Sequence, residues 1–304
     1  MAISRAQLVK ELEPGLNALF GLEYKRYENQ HAEIYTTESS DRAFEEEVML
    51  SGFANAQVKA EGSGVSFDEA QETYTARYTH DTIALAFAIT EEAIEDNLYD
   101  RIASRYTKAL ARSMSNAKQV KAAAPLNNGL SSVATFKAGD TVSLFSTNHT
   151  TVSGTAVKNT LTTQADLNET SLEQGLIDIA GMTDERGLRV AARGMKMIIP
   201  SANQFAAERL LKSQGRTGTA DNDINAVVSM GMVPQGYRVN NFLTDTDSWY
   251  IVTDVPNGMK MFQRAALKTA MEGDFDTGNV RYKARERYSF GVSDYRGIFG
   301  VEGA

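Results

Sequence analysis

From Thr90 to Lys121 the chain carries a helical pattern too long for a small domain to contain. Apolar residues recur at Ile94, Leu98, Ile102, Tyr106, Leu110, Met114, Ala117 and Val120, the i, i+3 or i+4 spacing of one helix face. Thr90 stands at the N-cap position. Acids (Glu91, Glu92, Glu95, Asp96, Asp100) fill the first turns and bases (Arg101, Arg105, Lys108, Arg112, Lys118, Lys121) the rest, the order a helix dipole favours. Pro125 and Gly129 are expected to stop it. At 1.5 Å per residue the rod is about 48 Å long. One end must project or lie along a partner. A long core helix of an α+β enzyme is the other reading that periodicity allows.

Two alternating runs precede the rod and read as a β-hairpin over residues 44–89. The first runs from Phe44 to Lys59 and the second from Tyr74 to Ile89. Tyr74, Ala76, Tyr78 and His80 share one face. The phase shifts at Asp81-Thr82, after which Ile83, Leu85, Phe87 and Ile89 alternate with Thr82, Ala84, Ala86 and Ala88. Ala60-Glu61-Gly62-Ser63-Gly64 forms a flexible tip by composition. A two-stranded ribbon of this length is marginal alone in water, so it needs a surface, and an adjacent subunit is one candidate. Residues 1–43 read as an arm: Ser4-Arg5-Ala6-Gln7 fits a capping box, Pro14 starts a second short helical turn, and the polar stretch Glu23–Asp41 suits packing across something else.

Beyond the rod, residues 122–170 are rich in Ser, Thr, Asn and Gly and read mostly as loop. A capping box at Thr170-Ser171-Leu172-Glu173 opens a helix, Met195–Ile199 is a buried strand ended by Pro200, and a further helix runs to Lys212. Trp249–Val252 is a strand, with Met259–Arg264 as its expected hairpin mate across the turn Val255-Pro256-Asn257-Gly258. In Val280–Phe290 one side carries Val280, Tyr282, Ala284, Glu286, Tyr288 and Phe290; the other carries Arg281, Lys283, Arg285 and Arg287.

Composition narrows the function. The 304 residues suffice for two domains, and 42% apolar with 23% charged is ordinary globular usage. No uninterrupted apolar stretch approaches the length of a membrane span, and nothing at the start reads as a signal peptide. There is no cysteine, which excludes disulfides, thiol nucleophiles and cysteine-ligated metal. The net charge of −8 argues against a chain whose main work is gripping nucleic acid. The basic row Arg281, Lys283, Arg285, Arg287 reads as a solvated or inter-subunit strand face paired with acidic neighbours, with a DNA-facing strand face as the alternative.

Motifs of catalysis are sparse. Asp245, Asp247, Glu272, Asp274 and Asp276 offer the oxygens a hard cation wants, but fall where turns are expected and match no EF-hand. His31, His80 and His149 are isolated, without HExxH spacing, and no G-x-S-x-G elbow or Walker loop is present. Gly62-Ser63-Gly64 lacks the third glycine and following helix of a dinucleotide fingerprint.

Four strings in order resemble the major capsid proteins of tailed bacteriophages, which share the Hong Kong 97-type capsid fold. They are Leu144–His149, Ala207–Ser213, Asn241–Tyr250 and Met271–Arg285, the last continuing to Ser289-Phe290-Gly291 and Asp294-Tyr295-Arg296-Gly297. The resemblance implies an α+β subunit with an N-terminal arm at 1–43 and an E-loop hairpin at 44–89, its tip (Glu61, Gly62, Ser63, Gly64) meeting a neighbour. It implies a peripheral (P) domain of 90–196 and 274–290 with spine helix 90–121, and an axial (A) domain of 197–273 and 291–304. The function implied is a non-enzymatic virion shell of hexamers and pentamers, assembled in the bacterial host cytoplasm around double-stranded DNA, with no cofactor and no membrane. Portal and scaffolding proteins, and a decoration protein, are the implied partners. Some relatives join the E-loop to a neighbour through a lysine and an asparagine; Lys59 and Asn279 occupy such places, but no third catalytic acid is evident, so non-covalent closure is expected. An encapsulin-type nanocompartment is the alternative within the fold, and a metal-dependent enzyme using 272–276 the alternative outside it.

Overall fold

The computed structural model describes residues 5–90, 92–93, 99–130, 136–216, 223–274 and 277–304. Two four-stranded sheets organise them. The first has the order β1-β10-β11-β4, built from β1 (Thr36–Ser39), β4 (Asp81–Ile89), β10 (Met259–Gly273) and β11 (Val280–Val292). The second has the order β12-β9-β7-β8, built from β7 (Gly194–Ile199), β8 (Tyr237–Val239), β9 (Trp249–Thr253) and β12 (Ile298–Val301). A separate ribbon pairs β2 (Phe44–Leu50) with β3 (Glu72–Thr79), and β5 (His149–Thr150) pairs with β6 (Ala156–Val157).

The long helix α2 spans Tyr99–Asn127, beyond the expected end at Lys121; Ile94 and Leu98 lie outside the described residues. Pro125 does not stop it. A proline in the last turn removes a single N–H, and Asn128 N and Gly129 N still reach the Ala124 and Leu126 carbonyls at 3.0 and 3.2 Å. Leu126 is meanwhile held in a core with Ile34, Tyr35, Leu144 and Phe145. The buried face also differs from the expected one. It runs through Ala103, Thr107, Leu110, Ala111, Met114, Ser115, Lys118, Gln119, Ala122 and Ala123, whereas Tyr106 and Val120 are exposed. Leu110 and Met114 are common to both faces, and the two i+3 steps from Met114 through Ala117 turn about 120° around the helix, which puts Val120 outside the seam. The real seam mixes alanines with Leu110, Met114, Lys118 and Gln119.

The arm is likewise not extended. α1 (Arg5–Arg26) is one helix through Pro14, and Leu16 and Phe20 pack with Leu110, Met114, Tyr282 and Ala284. The chain then passes a short helical turn at Gln30–Glu33 and adds β1 parallel to β10. The i, i+4 pair Leu16/Phe20 needs an apolar surface, and the sheet of its own chain supplies it.

Strand pairing corrects two further expectations. β4 pairs with β11 from Ile89↔Val280 to Asp81↔Tyr288, so the ribbon ends at Thr79 and not at Ile89. The phase shift at Asp81 marks a change of sheet. β9 pairs with β12 and β7, not with β10, whose mate is β11; hence 259–273 belongs with the long helix rather than with the sheet of β9. α3 (Glu169–Ala180) buries Leu172, Leu176 and Ile179 in one core with Trp249 and Phe299 of the second sheet. Two further short helices, α4 (Gln204–Lys212) and α5 (Ala226–Ser229), complete that unit through Ala207 and Val227.

The second sheet is covered on both faces. Trp249 and Ile251 face the α3 core, whereas Tyr250, Ile198 and Ile298 face the core at the end of α2. Asn159 fastens this joint from a fully buried site: its amide donates to the Leu144, Tyr295 and Ile298 carbonyls at 2.7, 3.1 and 3.3 Å.

His31 sits in the same joint, its ring edge-on to Phe290 at 5.8 Å. Burial, then the Lys118 charge, lowers its pKa from 6.5 to about 4. The folded chain therefore binds this proton more weakly than the unfolded chain, and stability falls as pH drops from about 6.5 towards 4. Thermal unfolding of His31→Gln should lose less between pH 7 and pH ~4.5 than wild type does; an identical loss in the two proteins would refute this role.

Candidate functional site

For a chain without a catalytic constellation the surfaces left unpaired become the site, and the ribbon comes first. Its base is fixed to the subunit by two tyrosines of β3. Tyr78 lies on Gly291, where an added Cβ would come within 2.5 Å of the ring, and packs edge-on to Phe262 at 4.7 Å. Tyr74 lies in the same way on Gly139, at 2.4 Å from an added Cβ. Lys260, buried, bridges Glu47 of β2 and Glu38 of β1 at 2.5 and 3.0 Å. Burial would lower the Lys260 pKa, but the bonds to the two carboxylates outweigh it and hold the pKa above its ordinary value. Ser293 hydrogen-bonds both Tyr78 and Glu47.

Past Leu50 the ribbon has no strand pairing, and residues 51–71 carry its apolar side chains into solvent. Leu50 and Phe53 are each 60% exposed, Phe67 94% and Val58 99%. Glu61, Gly62, Ser63 and Gly64 are all exposed; Gly62 takes φ +76° and Ser63 N–H donates to the Ala60 carbonyl at 3.2 Å. The tip is thus a turn, as expected, but on an open loop rather than on a closed hairpin. Two tethers hold its return limb: Gln71 exchanges hydrogen bonds with Ser51, and Asp68 accepts the Ala54 N–H and the Arg186 guanidinium, both at 2.7 Å.

The second surface is the sheet face turned away from the helices. Arg281, Lys283 and Arg285 are exposed and Arg287 half-buried. Register sets them beside Ala88, Ala86, Ala84 and Thr82 of β4 on one side, and Glu272, Ala270, Lys268 and Ala265 of β10 on the other. The small neighbours leave a shallow cleft lined by Ala86, Ala270, Glu272, Arg281 and Lys283. Among the described residues no hydrogen bond or ion pair joins the tip Glu61–Gly64 to this row, so one chain does not bring the two expected sites together.

Directly behind the row, Glu286 is fully buried on the helix side and meets Lys118 at 3.2 Å. Burial raises the Glu286 pKa, and Lys118 pulls it partly back. A glutamate on the apolar side of β11 was the signal in the sequence for such a partner; that it came from α2 was not readable, because the helix seam was misplaced.

The acids and histidines take structural places. Asp274 accepts from Thr277 Oγ1 at 3.0 Å and pairs with Arg281, closing the β10–β11 turn; Asp276 lies outside the described residues. Asp245 accepts the Asp247 N–H at 3.0 Å. Among the described residues no cluster of three or more metal-ligating side chains occurs. His80 bridges Ser40 and Ser289 at 2.9 and 3.0 Å. His149 lies between Asp140 and Asn159, stacked on Tyr295 at 3.8 Å. The Arg296 guanidinium, 4.4 Å from the Tyr295 ring centroid, and its buried pair with Glu185 continue this polar core, which the spacing of single residues does not announce. No described helix is long and apolar enough to cross a membrane.

A family model described as phage capsid protein matches residues 73–301. No curated protein matches the chain in sequence. Solved structures share its fold at low identity. The virus-like particle from Pyrococcus furiosus aligns with TM-score 0.54 and 10% identity, over 94% of this chain and 98% of that one. The capsid of Myoviridae phage XM1 aligns with TM-score 0.55 and 11% identity, over 89% of each chain. The capsid of an empty GTA particle aligns with TM-score 0.56 and 14% identity, over 91% of each. The fold is that of the Hong Kong 97-type capsids.

Two substitutions probe the surfaces just described. Lys118→Met strands a buried carboxylate and should cost about 3–5 kcal/mol in urea unfolding, most of it recovered in Lys118→Met/Glu286→Leu; equal losses in both proteins would show that the pair carries no such coupling. Gly291→Ala should cost about 1–3 kcal/mol by overpacking against Tyr78, and clearly less in a Tyr78→Ala background.

Proposed function

The chain belongs to the phage capsid protein family, and on that premise we propose that it is the major head protein of a tailed phage, building hexamers and pentamers of an icosahedral shell around double-stranded DNA. The observation that carries the reading is the ribbon: anchored at its base, it ends in a loop of about twenty residues whose Phe53, Val58, Val65 and Phe67 side chains are exposed in the subunit. A soluble chain gains by burying such a patch, and copies arranged with closed symmetry bury it repeatedly. In domain terms, the ribbon through Thr79 is the E-loop, the first sheet with α2 the peripheral domain, and the second sheet with α3 the axial domain. α1 and β1 form the arm, docked on their own subunit.

The work done is surface burial, without turnover or cofactor. Each interface is modest, and many of them together hold the shell. The negative balance of the chain suits a container that must not adsorb the DNA it holds. Portal and scaffolding proteins, and a decoration protein, are the proposed partners, with assembly in the host cytoplasm and the virion as destination. The likeness to the Pyrococcus furiosus particle supports a second reading, an encapsulin-type compartment. Purified particles containing double-stranded DNA favour the first reading; particles with protein cargo and no DNA favour the second.

Electron microscopy and sedimentation of the expressed protein, alone and with a scaffold, test the shell itself. Wild type should form closed particles. Phe53→Ser, Val58→Ser and Phe67→Ser combined should leave the thermal midpoint of the subunit unchanged, because all three side chains are exposed, and should abolish the particles. A triple variant that still closes into shells would contradict the role of the tip.

A further inference from the structure

At the ribbon end of the basic face two arginines converge on His80. Arg287 lies on β11. Arg264 lies on β10 at a bulge: Gln263 pairs with Tyr288 and Ala265 with Arg287, so Arg264 is the extra residue. A bulge re-aims a side chain that regular alternation would place elsewhere. Both arginines are half-buried, and the Nε of each is closed off from solvent with no acceptor among the described residues. Neither guanidinium joins a hydrogen bond or an ion pair there. An arginine Nε–H can only donate, and native structures rarely leave such a donor buried and unmet.

His80 is buried between two serines, Ser40 Oγ at 2.9 Å from Nε2 and Ser289 Oγ at 3.0 Å from Nδ1. Ser40 gives its own proton to Glu45 at 2.7 Å, so it accepts from Nε2, and Nδ1 accepts from Ser289. The imidazole in this network carries one proton, on Nε2. Burial lowers its pKa, and Arg287 lowers it further; Glu45 works against this, Arg264 adds to Arg287, and Asp81 opposes again. The two carboxylates are engaged by other groups, Glu45 by Ser40 and Asp81 by Lys121 of α2. The positive charge of Arg264 and Arg287 is left without a counter-ion among the described residues.

We propose that Arg264 and Arg287, with Ser289 and His80 beside them, bind a small phosphate-type oxyanion. Guanidinium forks suit such an ion because they present fixed, paired N–H groups to its oxygens. Binding also draws in a proton. A bound dianion offsets the repulsion between the two arginines and an imidazolium, so Nδ1 becomes protonated. Ser289 then accepts from Nδ1 and turns its own O–H to the anion. By reciprocity the site holds the ion more tightly as pH falls. All four residues belong to one subunit, at the junction of β3, β4, β10 and β11, so the inference stands apart from the shell reading. A bound ion would tie the root of the ribbon to the sheet.

Sulfate is the probe, because it stays a dianion across the range in which histidine titrates. Calorimetric titration of the purified full chain at fixed ionic strength should show one saturable site, tightening about threefold or more from pH ~8 to pH ~6. Proton uptake should appear as a heat that depends on the ionisation enthalpy of the buffer. Arg264→Gln with Arg287→Gln should weaken binding at least about tenfold and keep the thermal midpoint. Arg264→Lys, which retains the charge and loses the fork, should weaken it too. His80→Asn should keep a site whose affinity no longer depends on pH. Inorganic phosphate and a short double-stranded oligonucleotide then compete against sulfate. Displacement by phosphate alone assigns the site to the free ion, and displacement by both assigns it to the phosphates of nucleic acid. No saturable binding by wild type, equal binding by the double arginine variant, or heats independent of the buffer overturn the proposal, and none of these outcomes touches the shell reading.

Discussion

A sheet covered on one face only sets the conditions under which this chain can live. The strand β11 is paired on both sides, and its alternation divides it cleanly: Val280, Tyr282, Ala284, Glu286 and Tyr288 go under the helices, and Arg281, Lys283 and Arg285 go to solvent. The helices meet the sheet through a mixed seam, Leu16 and Phe20 of α1 and Leu110, Met114 and several alanines of α2. Among the described residues none performs the same service for the basic face, for the outer edge of β4, or for the ribbon tip.

The rest of the fold is self-sufficient, and the contrast is informative. The second sheet has a core on each face, and its joint to α2 is locked by buried polar groups such as Asn159 and Tyr35, whose hydroxyl donates to the Ala122 carbonyl at 2.7 Å. The ribbon is rigid at its base, where Tyr74 and Tyr78 lie on glycines, and unsupported beyond Leu50. A subunit that was meant to be alone would invert this distribution, because an apolar loop in water costs free energy at every exposed side chain. Rigid bodies carrying unsatisfied extensions are what a closed assembly of identical parts requires.

Much of this was legible in the residues. The two-faced alternation of β11, the alternation of β4 and the shared face of Tyr74, Ala76, Tyr78 and His80 depend only on the period of a strand, and the structure bears them out. The tip turn at Gly62 follows from composition. What failed were inferences about partners. Pairing is non-local, so β9 and β10, neighbours in sequence, belong to different sheets, and α1 finds its surface on the far side of the chain. The helix seam differs for a geometric reason: the expected face shares Leu110 and Met114 with the buried one, but its two i+3 steps through Ala117 turn it about 120° away to the exposed Val120, while the true seam continues through Ser115, Lys118 and Gln119. The polar residues that mark the true seam were discounted because they are not apolar, though one of them holds the buried glutamate.

A single-particle reconstruction of the assembled wild-type protein bears most closely on whether copies of this chain supply one another's missing surfaces. The expected density is an icosahedral shell in which residues 51–71 and the Arg281–Arg287 face are both covered by other copies. A homogeneous compact monomer, or a particle in which both surfaces stand open to solvent, would contradict it.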